Sequence, residues 1–164
     1  MEQPMAYHVS SAPFAPGTLL GPGRFGELLA RGSQLAPREL ALEVVRHASF
    51  PGRPSRLWCM FAFPTLEAAR GWIATEPDAE QYVVEVQPAD GAEVFLGDQL
   101  WLEGVAEVPP PDWLSRAAGY WTGRPADASR PPAWELVIGG PVRVVRCQPV
   151  AIGPSGDPPA PPAG

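Results

Sequence analysis

Residues 133–146 form the segment that constrains the fold most, because they predict two strands joined by a very short turn. Gly139-Gly140-Pro141 separates two apolar, β-rich runs. Glycine and proline between such runs are typical of a turn that returns the chain. The segment therefore predicts a hairpin, and one carboxylate, that of Glu135, stands near the start of its first strand.

The rest of the chain mixes candidate strands and helices without strict alternation, which favours an α+β fold. Further strands are predicted at residues 5–9, 57–63 and 81–86, and residues 94–98 and 100–102 are expected to form a less regular apolar section. Helices are predicted at residues 24–30, 37–49, 65–73 and 113–120. The run at 57–63 is apolar on both faces and is expected to be a central strand.

Side chains at the ends of these segments predict where the helices begin. Thr65 and Asp112 are each expected to cap the helix that follows. Pro37 is expected in the first turn of its helix, which should end near Ser49. Three prolines at 109–111 are expected to break the chain.

Length and composition indicate one globular domain. The chain has 164 residues, 45% of them apolar, which is ordinary for a folded protein. Residues 1–151 are expected to form this domain. Residues 152–164 are rich in Pro, Gly and Ala and are expected to be a disordered tail.

Charge and hydropathy narrow the classes of function. The net charge is −6, and the 12 basic residues are all arginine. This acidity argues against a general nucleic-acid surface. No apolar run is long enough for a membrane span and no secretion signal precedes the domain, so a cytoplasmic location is expected.

Cysteine and histidine spacing predicts neither a disulfide nor a metal site. Cys59 and Cys147 each lie inside an apolar strand-like run, where cysteine usually serves as a small buried apolar residue. No Cys-x-x-Cys pair exists, and His8 and His47 are not spaced as metal ligands.

A histidine on the first strand and a glutamate on a late strand together resemble the ADP-ribosyltransferase superfamily. The likeness is to its His-Tyr-Glu branch, and among compact bacterial members to the rifampin ADP-ribosyltransferases. It is carried by Tyr7-His8-Val9-Ser10 and by the segment around Glu135. The resemblance implies a split, mixed or antiparallel sheet core with a few short helices.

The resemblance also implies roles for particular residues. Glu135 would bind the 2′-hydroxyl of the nicotinamide ribose and stabilise the positive charge that develops on the sugar as nicotinamide leaves. His8 would contact the adenosine-side ribose. Val9 stands where the branch often has glycine, and the backbone at Val9 and Ser10 would meet the carboxamide.

The tyrosine of the His-Tyr-Glu branch has no counterpart in this chain. Where a tyrosine usually packs on nicotinamide, this chain has Phe61, or Phe63 if the register slips by two, and phenylalanine keeps the stacking face. Loop arginines could grip the pyrophosphate, with Arg24 the first candidate and Arg53 or Arg56 further ones.

The expected function is that of an NAD-dependent ADP-ribosyltransferase or NAD glycohydrolase, with NAD as substrate and no metal. Enzymes that modify arginine usually carry Glu or Gln two residues before the catalytic Glu, where this chain has Ala133. The acceptor is therefore expected to be a small molecule, a nucleic acid or a protein side chain other than arginine, or else water. Such a chain would suit a toxin, resistance or phage-defence role, the first with an antitoxin or immunity partner.

Two alternatives stay open at the level of sequence. The departures at Val9 and Phe61 would also suit a catalytically decayed binding or interaction module on the same fold. On an unrelated α+β fold, Glu135 would face solvent from an edge strand, and His8, Phe61 and Phe63 would be core residues.

Overall fold

The computed structural model describes residues 5–23, 25–75, 81–104 and 110–150. Within these ranges the strands are β1 (Ala6–Ser10), β2 (Leu19–Leu20), β3 (Met60–Ala62), β4 (Tyr82–Pro88), β5 (Val94–Asp98), β6 (Trp134–Ile138) and β7 (Val142–Pro149). The α-helices are α1 (Phe25–Ala30), α2 (Ala36–Ser49), α3 (Leu66–Ile73) and α4 (Pro110–Trp121). A first 3₁₀-helix spans Arg56–Trp58 and a second spans Gln99–Leu102.

The strands form two antiparallel sheets whose backbones are joined by one β-bridge. One sheet has the order β1-β4-β7-β2, and the other has the order β3-β6-β5. They meet where the Tyr7 N–H donates to the Phe63 carbonyl at 2.9 Å and the Phe63 N–H donates to the Tyr7 carbonyl at 2.8 Å. The predicted α+β class is confirmed.

The predicted hairpin at 133–146 is wrong, although both of its strands exist. β6 pairs with β3 and β5, whereas β7 pairs with β4 and β2, so the turn carries the chain from one sheet to the other. The turn packs tightly on the β4–β5 connection, where the Gly139 N–H donates to the Glu93 carbonyl at 2.8 Å. A Cβ at Gly140 would lie 2.8 Å from Cβ of Ala92, so the crossing requires a glycine there.

The segment 57–63 is not the central strand that its apolar sequence predicts. Its first part belongs to the first 3₁₀-helix, which Ser55 caps by accepting a hydrogen bond from the Leu57 N–H at 3.2 Å. Only Met60–Ala62 is strand, and it lies at the edge of the three-stranded sheet. β6 is the central strand of that sheet, which removes the alternative that Glu135 stands on an edge.

The helix ends agree with the sequence in two cases out of three. Thr65 caps α3 through a 3.1 Å hydrogen bond from the Ala68 N–H, and α2 carries Pro37 in its first turn and ends at Ser49. Asp112 does not cap α4, because that helix already begins at Pro110. The first turn of a helix accepts proline, so the expected break at 109–111 is wrong at its last two residues.

Helices α2 and α4 cover one face of the three-stranded sheet. Their buried side chains pack with residues of β5 and β6 in one cluster that contains Leu42, Phe95, Tyr120, Trp121 and Val137. A second cluster fills the space between the two sheets, and a third lies where α3 packs on β1 and β4. Helices α2 and α4 therefore bury the start of β6.

Three remaining expectations concern the tail, the cysteines and membrane spans. The tail predicted at 152–164 lies outside the described residues. Cys59 and Cys147 are both free, the first of them buried. None of the helices in the described ranges has the length and apolarity that a membrane span requires.

The structure predicts a sharp contrast between two leucines of α2. Leu42 is 1% exposed and Leu40 is 57% exposed. Leu42→Ala should lower the free energy of unfolding by about 2–5 kcal/mol because it leaves a cavity between α2 and α4. Leu40→Ala, the matched control, should change it by less than about 0.5 kcal/mol. Urea denaturation of both variants tests this packing, which equal losses would contradict.

Candidate functional site

A cleft of about 470 Å³ opens beside the junction of the two sheets. Its walls are largely aromatic and aliphatic, and they include Phe25, Phe61, Phe63 and Trp72. Its polar lining residues are Arg38, Arg56, Gln99, Glu103 and Glu135. The cleft therefore combines apolar surface with a few converging charged groups, which is typical of a ligand site.

Strand register brings the predicted residues to the same face of the sheet. β3 and β6 are antiparallel, with Phe61 opposite Val137 and Ala62 opposite Leu136. Continuing the register by one residue places Phe63 opposite Glu135. Because side chains alternate along a strand, Phe61, Phe63 and Glu135 share one face, and all three line the cleft.

Glu135 is only 4% exposed, and three side chains bind its carboxylate. Arg56 Nη1 and the Tyr120 hydroxyl both donate to Oε1, the latter at 2.8 Å. Gln99 Nε2 donates to Oε2 at 2.9 Å. These partners orient the carboxylate and offset the loss of water around it.

Arg56 lies between two buried carboxylates. Its Nε donates to Glu39 Oε2 at 2.8 Å, while its Nη1 binds Glu135. Arg38 Nη2 also donates to Glu39 Oε1, at 2.7 Å, from the edge of the cleft. Charges of opposite sign therefore alternate along a chain of four residues, Arg38, Glu39, Arg56 and Glu135, which we call the buried charge chain.

The alternation keeps the buried groups charged. Burial opposes the charge of Arg56, but the carboxylates of Glu135 and Glu39 raise its pKa well above the ordinary value. Burial likewise opposes the charge of Glu39, but Arg56 and then Arg38 outweigh it and lower the pKa of that carboxyl.

A glycine on β5 makes room for Tyr120. Gly97 lies opposite Glu135, and a Cβ there would be 2.4 Å from Cζ of the Tyr120 ring. The phenol can therefore lie against the strand and reach the carboxylate. Burial raises the pKa of Tyr120 well above its ordinary value, so the hydroxyl stays protonated and donates to Glu135.

His8 lies in an adjoining cavity of about 430 Å³, which shares Phe25 and Phe61 with the cleft. Nδ1 of His8 donates to the Phe61 carbonyl at 2.8 Å. Burial lowers the pKa of His8, with this hydrogen bond opposing the shift. The imidazole is therefore neutral at pH 7, and its Nε2 can accept a hydrogen bond.

The remaining predicted site residues do not meet at the cleft. Val9 packs in the cluster beneath α3, and the Ser10 hydroxyl donates to the Ala12 carbonyl at 2.9 Å. Neither lines the cleft or the cavity of His8. Arg24 lies outside the described residues. Arg56 was expected on a loop, but it is 4% exposed and bound to carboxylates, so its role as a free pyrophosphate contact is wrong.

Sequence reasoning missed the partners that surround Glu135. Glu39 and Leu42 are the buried residues of α2, whereas the apolar Leu40 and Val44 are exposed, so the apolar pattern of this helix gave no signal for Glu39. Tyr120 follows Ala117 by three positions on the buried face of α4. Among the described residues, no group of three or more His, Cys, Asp or Glu side chains could hold a metal ion.

The lowered pKa of Glu39 predicts how stability depends on pH. Its ordinary pKa is 4.5, so below that value the unfolded chain binds a proton before the folded protein does. The stability that Glu39 contributes is therefore present above pH 4.5 and is lost as pH falls toward the lower folded pKa. Glu39→Gln should cost about 3 kcal/mol at pH 7 and should flatten the acid side of the stability curve.

Urea denaturation between pH 3 and 7 measures this effect. Glu103→Gln is the matched control, because Glu103 forms an ion pair with Arg130 in which both side chains are more than half exposed. An acid slope as steep in Glu39→Gln as in the wild type would contradict the burial of a charged Glu39.

Comparison with protein families gives one match. A family model described as a protein of unknown function (DUF2441) matches residues 27–150, about three quarters of the chain. The matched range contains the whole buried charge chain together with Tyr120, but not His8. Comparison with curated proteins gave no match.

Proposed function

Since the chain belongs to the DUF2441 family of proteins of unknown function, we propose its activity from the site: it is an NAD-dependent ADP-ribosyltransferase or NAD glycohydrolase on an ADP-ribosyltransferase-like split sheet. One observation carries the proposal. The junction of the two sheets places His8, Phe61 and Glu135 around two adjoining cavities.

The two cavities suit the two halves of a dinucleotide. The cleft at Glu135 receives the nicotinamide ribose, with the rings of Phe61 and Phe63 available to pack on nicotinamide. The cavity at His8 receives the adenosine ribose, whose hydroxyl donates to Nε2. Phe25 and Phe61, whose ring centroids are 5.5 Å apart, lie between the halves.

Glu135 supplies the electrostatic part of the reaction. The C–N bond between ribose and nicotinamide breaks, nicotinamide leaves with the bonding electrons, and positive charge develops on the sugar. A carboxylate that its hydrogen-bond donors hold in place in a partly apolar cleft stabilises that charge without reorganising as it forms. The acceptor hydroxyl or amine then forms the new bond to C1′ and releases its proton to solvent.

The residue two positions before Glu135 indicates which ADP-ribose acceptors fit the site. Ala133 lines the cleft where arginine-modifying enzymes have a Glu or Gln. Its methyl group cannot accept a hydrogen bond from a guanidinium group. We therefore propose a small molecule, a nucleic acid, a protein side chain other than arginine, or water as the acceptor.

The proposal predicts release of nicotinamide from NAD by the purified protein. Glu135→Gln should reduce the rate by about a hundredfold or more, because it removes the charge that stabilises the transition state. Glu85→Gln is the matched control, since Glu85 is also a strand-borne glutamate paired with an arginine, Arg146, outside the cleft. Circular dichroism and thermal unfolding check that both variants fold. Equal rates in Glu135→Gln and the control would contradict the proposal.

A catalytically decayed binding module is the second candidate, and the burial of Glu135 favours it. With three donors on its carboxylate and 4% exposure, Glu135 resembles a structural ion-pair partner. In that case NAD binds without turnover. Binding would weaken in His8→Ala but not in His47→Ala, the exposed histidine of α2. Isothermal titration separates this outcome from a protein that does not bind NAD.

A further inference from the structure

The hydrogen bonds to Glu135 leave one acceptor position on its carboxylate. Each carboxylate oxygen accepts about two hydrogen bonds. Oε1 already accepts two, from Arg56 and from Tyr120. Oε2 accepts one, from Gln99 at 2.9 Å. The remaining position is therefore on Oε2, and the cleft is the space beside it that a ligand can enter.

Tyr120 lies behind the carboxylate and does not line the cleft. Its ring packs against Phe95 and Trp121, with ring centroids 5.5 Å and 5.0 Å away. The ring also lies against Gly97, where a side chain would clash with it. The hydroxyl also accepts a hydrogen bond from Arg56 Nη1 at 2.7 Å, which directs its own proton to Glu135.

A contribution to folding stability does not by itself account for a buried network of this kind. Burying a guanidinium group and two carboxylates costs several kcal/mol per ion, and well-packed apolar residues often stabilise a fold as well or better. Glu135 lines the cleft together with Arg56 and Arg38, whereas Glu39 and Tyr120 do not line it. Glu135 is therefore the one carboxylate of the network that the cleft exposes to a ligand. Fixing the direction of one carboxylate is what this arrangement achieves.

We propose that Tyr120 is a positioning residue for Glu135. Its hydroxyl, with Arg56, occupies Oε1 and fixes the carboxylate so that the free position of Oε2 receives the 2′-hydroxyl of the nicotinamide ribose. This assignment rests on the proposed function. Gly97 contributes to the same positioning, because any side chain there would displace the phenol of Tyr120.

Steady-state kinetics of nicotinamide release test the assignment. Tyr120→Phe keeps the packed ring and removes the hydroxyl, so kcat should fall roughly ten- to a hundredfold, the size expected for one hydrogen bond to a charged group. KM for NAD should change less than about twofold, because the interaction acts in the transition state. In a Glu135→Gln background the same substitution should cause no further fall.

A second variant and a control separate loss of carboxylate positioning from a general loss of structure. Gly97→Ala leaves the phenol chemically intact but displaces it, and should also lower kcat. Tyr7→Phe removes a phenol hydroxyl in the cluster beneath α3 and should keep the wild-type kcat. Thermal unfolding of each variant shows which proteins are folded.

The outcomes are distinct. A wild-type kcat in Tyr120→Phe overturns the positioning role while the proposed function stands. A further fall of kcat when Tyr120→Phe is added to Glu135→Gln also overturns it, since Tyr120 would then act independently of Glu135. A rise of KM in Tyr120→Phe with kcat unchanged also overturns the positioning role. No release by the wild-type protein overturns the proposed function and this assignment with it.

Discussion

The guanidinium group of Arg56, held between Glu39 and Glu135, is the interaction on which the rest of the site depends. It joins α2, the first 3₁₀-helix and β6, and through Tyr120 it also joins α4. A charged group removed from water needs partners on every side, and here they come from segments as far as 79 positions apart in the chain. Removing either carboxylate would leave Arg56 with too little compensation.

The cleft that reaches this buried network opens beside the junction of the two sheets. The backbones of the two sheets bridge at Tyr7 and Phe63, and their facing side chains pack in one shared cluster. His8 lies on β1 of the four-stranded sheet, and Glu135 lies on β6 of the three-stranded sheet. The His8 ring donates a hydrogen bond to the carbonyl of Phe61, on β3. β6 and β7 lie in different sheets although only three residues connect them.

Sequence patterns predicted the local features well and the long-range ones poorly. The cap at Thr65, the extent of α2 and the two strands around Gly139-Gly140-Pro141 all follow from neighbouring residues. Pairing of those strands depends on the close approach of Gly140 to the β4–β5 connection, which no local pattern encodes. Glu135 and His8 could be singled out as candidate site residues, but the ion pair that fixes Glu135 joins residues distant in the chain and was missed.

In the complex that we propose, Glu135 binds the nicotinamide ribose and His8 binds the adenosine ribose. A crystal structure with a carbocyclic NAD analogue, which cannot lose nicotinamide, tests it most directly. We expect the 2′-hydroxyl of the nicotinamide ribose within about 3.2 Å of Glu135 Oε2 and a hydroxyl of the adenosine ribose at the same distance from His8 Nε2. An analogue bound elsewhere, or with its nicotinamide ribose remote from Glu135, would contradict it.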